Sequence, residues 1–117
     1  MSNLNLLQNR ITPDEFLAWE ANQTDRHEYL DGVVTAMSGA SLDHNRIVTN
    51  LARETSTALL GTPCEALTTS QMVQVEAVTA FFYPDVFLVC DDLRMGKQQS
   101  ILNPKIIFEV LSPSTGR

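Results

Sequence analysis

Two segments constrain this chain more than any others: residues 83–92, YPDVFLVCDD, and residues 103–115, NPKIIFEVLSPST. Each is a nearly continuous apolar run. Their length and β-branched content fit strands buried on both faces, the signature of a central sheet. Each run also carries one carboxylate. Asp85 alternates with Phe87 and Val89, and Glu109 alternates with Ile107 and Leu111. An isolated ionised carboxylate in such a place costs roughly several kcal/mol unless a cation, a partner or hydrogen-bond donors meet it.

Two such acids on neighbouring strands converge naturally into an oxygen-rich pocket. That suits Mg²⁺, which takes one or two carboxylates plus water and substrate phosphate. The structural alternative puts Asp85 in water at a strand entrance behind Pro84, and Glu109 beside a core Arg or at a sheet end. Spacing alone leaves both alternatives open.

Upstream, Thr12-Pro13-Asp14-Glu15 is a helix start, with a capping hydroxyl, Pro at the first helical position and Glu15 closing a capping box. Phe16, Leu17 and Trp19 give this short helix its apolar side. Asp31-Gly32 between two apolar stretches signals a two-residue hairpin. That register puts Glu28 and Leu30 on one face with Val33, Thr35 and Met37. Ser41 caps a long helix in which Ile47, Val48, Leu51, Ala52, Thr55, Ala58 and Leu59 recur at helical spacing, and Gly61 and Pro63 end it. His44 lies one turn before Val48 on the packed side, where a histidine more often satisfies local hydrogen bonds. SQMVQVEA reads as a half-exposed strand. The order of helix, hairpin, long helix and three strands describes an α/β domain with a mixed sheet.

The chain has 117 residues, is 44% hydrophobic and 19% charged, and is expected to form a single domain over 1–117. Its start has no basic or long apolar stretch, and its apolar runs are far shorter than the ~20 residues that cross a bilayer. The cytoplasm is the expected location, with no membrane partner. Cys64 and Cys90 do not make a disulfide scaffold, and Cys90 reads as a small buried hydrophobe. The formal charge of −6, with eight Lys plus Arg and no basic cluster, counts against nucleic-acid binding by this chain alone.

The Pro-Asp of YPDVFLVCDD followed by EVLSPST resembles the PD-(D/E)XK nuclease superfamily and, more narrowly, the Uma-type family of putative restriction endonucleases, a former domain of unknown function. HEYLDGVVTAMSG is similar to that family's hairpin, His44 to its early-helix histidine and MVQV to its preceding strand, so the likeness covers roughly residues 10 to 115. The resemblance implies a restriction-endonuclease-like core with an N-terminal hairpin, a mixed sheet and flanking helices. It makes Asp85 and Glu109 the metal-binding pair, Glu28 the third catalytic carboxylate, Mg²⁺ (or Mn²⁺) the cofactor and DNA the partner. Tyr29, Asp31 and Gly32 belong to the hairpin itself. The implied reaction is phosphodiester hydrolysis, in which a bound ion lowers the pKa of water and offsets charge on phosphorus.

One element of the pattern is missing. Leu111 stands two residues after Glu109, where the superfamily usually has a lysine, and the Uma-type family's downstream Asp and Lys would follow the Ser112–Thr115 turn. Lys105 shares the face of Glu109 but lies about 13 Å away along an extended strand, and Lys97 is in a loop. The turn looks like a cap for a helix that does not follow, so the fold is expected to be incomplete at its C-terminus, with one sheet face poorly covered. A second reading is therefore a non-catalytic interaction module, derived from a nuclease fold, that dimerises. A hydrolase acting on small phosphorylated molecules has no motif of its own here.

Overall fold

The computed structural model describes residues 10–37 and 39–111. Helix α1 (Pro13–Glu20) begins at the capping box: Thr12 Oγ1 accepts from Glu15 N at 3.1 Å, and Glu15 Oε1 accepts from Thr12 N at 2.8 Å. Two donors that a helix start would leave orphaned are satisfied reciprocally. Phe16, Leu17 and Trp19 are buried, as expected, and so is Glu20.

Strands β1 (His27–Leu30) and β2 (Val33–Ala36) form the hairpin, with Glu28 opposite Thr35 and Leu30 opposite Val33. Asp31 and Gly32 take φ values of 45° and 90°. This positive-φ pair matches the twist that a two-residue turn needs between right-twisted strands. Helix α2 (Leu42–Ala58) is capped by Ser41, whose Oγ accepts from His44 N at 3.1 Å. It packs on β3 (Cys64–Thr68) and β6 (Val86–Cys90). Its contact stripe is narrower than the apolar spacing suggests, because Val48 is buried while Ile47 faces solvent.

The remaining strands are β4 (Val73–Val75), β5 (Ala80–Phe82) and β7 (Ile106–Phe108). They divide between a sheet ordered β2-β1-β5-β4 and a sheet ordered β3-β6-β7, with antiparallel ladders. Val73 and Ile101 add an isolated parallel bridge. The α/β arrangement with a hairpin and flanking helices is the expected one, divided into two sheets. Phe16, Tyr29 and Phe81 build one core between α1 and the first sheet, with Phe16 and Tyr29 stacked at 5.0 Å. Val73, Phe87, Val89 and Ile101 build the other. Among the described residues no helix is long and apolar enough to cross a membrane.

Three expectations are corrected. The segment from Lys105 is not buried on both faces: among the described residues β7 pairs with β6 alone, and Ile106 and Ile107 are 47% and 38% exposed because no described element covers them. The segments CEALT and AFF form β3 and β5, although neither alternates clearly enough to announce a strand. Cys90 is no lone buried hydrophobe, since it stands opposite Cys64 in the β3–β6 ladder and is joined to it by a disulfide. Strand register unites two residues that lie 26 positions apart. The expected cap at 112–115 lies outside the described residues.

Candidate active site at the open end of β6 and β7

Pro84 ends the approach to β6, and Asp85 is the residue just before that strand. Glu109 is the residue just after β7. Both acids therefore sit at strand ends and not in mid-strand. The antiparallel register pairs Val86 with Phe108, so the next position outward sets Asp85 opposite Glu109. Each side chain reaches across to the backbone of the other segment there. Asp85 N donates to Glu109 Oε1 at 2.9 Å, and Val110 N donates to Asp85 Oδ2 at 2.7 Å. Each carboxylate uses one oxygen to extend the ladder and keeps its second oxygen outside these bonds.

Two more titratable groups face this pair. His44 Nε2 lies 3.3 Å from Asp85 Oδ2, and the two side chains are only 13% and 14% exposed. His44 Nδ1 is buried without a hydrogen-bond partner among the described residues. The first turn of α2 thus delivers His44 to the acids, and its ring does not make the local hydrogen bonds expected of it. Glu28, on β1, is close enough for its charge to act on Glu109.

The pKa of Glu109 is raised above the ordinary glutamate value. Partial burial of its carboxylate is the largest cause, the neighbouring charges of Asp85 and Glu28 add to it, and the Asp85 N–H and His44 oppose it. Such crowding of like charge is the condition a cation relieves. Among the described residues no three His, Cys, Asp or Glu side chains form a ready-made metal cage. Two opposed carboxylates nonetheless fit Mg²⁺, which is commonly held by one or two acids with water and phosphate completing its shell.

Asp85 and His44 form part of the wall of a cleft of about 540 Å³, which also includes Arg26, Asn45 and Thr69. The structure also holds a polar cluster that sequence reasoning missed. Glu20 Oε2 accepts from His27 N at 2.8 Å and from Tyr83 Oη at 2.9 Å, while Glu20 Oε1 lies 2.8 Å from His27 Nδ1. Tyr83, two residues before Asp85, is thereby pinned to α1. The remaining sequence candidates have structural positions. Tyr29 Oη donates to Ile11 O at 2.6 Å, Asp31 pairs with Arg10, Lys97 pairs with Asp14, and Leu111 is exposed.

Comparison with known proteins follows the same lines. Residues 13–117 match the model of the family Uma2, described as "Putative restriction endonuclease". Two relatives from Synechocystis sp., both described as uncharacterized proteins, slr1290 and sll1609, are 36% and 29% identical over 106 residues. The alignments cover 91% and 89% of this chain but only 56% and 60% of those relatives. The crystal structure of a putative nuclease belonging to DUF820 from Anabaena variabilis superposes with a TM-score of 0.74 at 18% identity, covering 92% of this chain and 62% of that one. That likeness shows a shared fold. With nearly the whole chain matched and the paired acids in place, this protein belongs to the Uma2 family of putative restriction endonucleases.

Proposed function

We propose that this chain carries the acidic part of a metal-dependent nuclease centre that hydrolyses DNA phosphodiester bonds. The observation that carries the reading is the opposition of Asp85 and Glu109 across the end of the β6–β7 ladder, with their side chains tied to each other's strands. Asp85 and Glu109 would hold Mg²⁺ or Mn²⁺. When bound, such an ion lowers the pKa of coordinated water and stabilises charge developing on phosphorus. Glu28 adds negative charge from β1, and His44 steadies Asp85 from α2. The β6–β7 ladder ends directly at both acids, and the two bonds to Asp85 N and Val110 N hold their carboxylates across its end.

The test is cleavage of plasmid DNA by the purified chain with Mg²⁺ or Mn²⁺ and with EDTA. Asp85→Asn and Glu109→Gln are each expected to lower the rate at least about a hundredfold while circular dichroism stays unchanged. An inactive wild-type chain, or variants as fast as wild type, would contradict the proposal.

A second reading, a dimerising interaction module without catalysis, is favoured by the exposed apolar residues Ile106, Ile107 and Leu111 around the edge strand β7. Light scattering at two concentrations decides it, because a monomer at both speaks against it.

A further inference from the structure

We infer that Arg26 is the residue that anchors substrate phosphate in this cleft, adding a positive side chain to the wall it shares with Asp85. The inference rests on the nuclease reading and adds to it the contact that would hold a DNA strand against Asp85. Arg26 lines the same cleft as Asp85 and His44. Its guanidinium carbon lies 5.7 Å from the centre of the Tyr83 ring. Tyr83 is buried, is held by Glu20, and precedes Asp85 by two residues. The guanidinium therefore rests against a ring that is itself held in place by Glu20. Its backbone is held as well, since Arg26 O accepts from Met37 N at 3.1 Å and the next amide, His27 N, donates to Glu20.

The charge of Arg26 is also uncommitted. Arg10, Arg46, Arg53, Arg94 and Lys97 each pair with a carboxylate within 4.0 Å. Arg26 makes no such pair among the described residues, although Asp25 lines the cleft too. Lys105 is likewise unpaired by a carboxylate, but it stands on the far approach to β7. In a protein of net charge −6, an unpaired arginine on the wall of an acidic cleft stands where an anion would otherwise be repelled. A guanidinium fork matches two phosphate oxygens and needs no proton exchange to do so. A guanidinium lying over an aromatic ring can still donate from its N–H edge.

The test uses a fluorescein-labelled DNA duplex, read by anisotropy across a salt series in Ca²⁺, together with Mg²⁺-dependent cleavage by the same preparations. Arg26→Ala is expected to weaken binding roughly tenfold. It should also flatten the slope of log K against log salt by about one. Arg26→Lys should regain the slope and only part of the affinity. In cleavage the Arg26→Ala loss should fall mainly on KM, whereas that of Asp85→Asn should fall on kcat. Equal affinity and slope in Arg26→Ala and wild type would overturn the inference, as would a wild-type chain that does not bind the duplex. If Arg26→Ala behaves as expected while Asp85→Asn cleaves like wild type, the phosphate contact stands and the nuclease reading falls.

Discussion

The buried carboxylate of Glu20 does more for this fold than its place on a small amphipathic helix suggests. It accepts from the backbone of β1 and from Tyr83, and it meets the His27 ring, so three groups depend on it. Replacing it with Leu leaves those groups buried and unmatched, and should cost about 3 kcal/mol in urea unfolding. An unchanged midpoint would show that water reaches the cluster. The two tyrosines offer a second check. Burial raises the pKa of Tyr29 above 10.0, and burial together with the Glu20 carboxylate raises that of Tyr83 much further. A raised phenol favours the folded state in full below pH 10, and that contribution is lost as pH climbs through the folded values. An ultraviolet titration should therefore find both tyrosines less ionised at pH 10 in the folded chain than in urea, with Tyr83 the less ionised of the two. The sequence made Asp85 and Glu109 visible because a carboxylate stands out in an apolar run. It could not reveal Glu20, which sits at a helix end like any solvated acid, nor that Arg26, alone among the described arginines, makes no ion pair with a described carboxylate.

Among the elements, the hairpin was the most legible, because Asp-Gly carries its own backbone geometry. Gly32 has φ of 90°, and an added Cβ would lie 3.1 Å from Arg10 Cβ. Gly32→Ala should therefore destabilise the chain by about 1 kcal/mol or more, read as a lowered melting temperature. The helices were legible through their caps. The short strands β3 and β5 were not, because three to five residues with mixed polarity acquire strand character only from the neighbours they pair with. The disulfide belongs to this scale too, since it depends on β3–β6 register. It closes a loop over a separation of 26 residues, and its reduction should cost roughly 3 kcal/mol. Urea midpoints with and without dithiothreitol measure that difference, and thiol labelling shows whether the bond is present. Strand β7 went the other way. Its composition is that of a core strand, yet Ile106 and Ile107 are exposed, because burial depends on what lies across from a strand as well as on its own residues.

For the molecule as a whole, the α/β architecture followed from the order of patterned segments, while the division into two sheets did not, because hydrophobic periodicity says nothing about which strand pairs with which. The candidate site emerges only at this scale. It draws Glu28 from the hairpin, His44 from α2, Asp85 from the approach to β6 and Glu109 from the exit of β7. A constellation gathered from four elements stands or falls on whether the acids act together. Calorimetric titration with Mn²⁺ tests this most directly, comparing wild type with Asp85→Asn, Glu109→Gln and the double variant. The account predicts binding by the wild-type chain, its loss in either single variant, and no further loss when the two are combined. Absence of wild-type binding at millimolar Mn²⁺, or binding that survives either substitution, would contradict it.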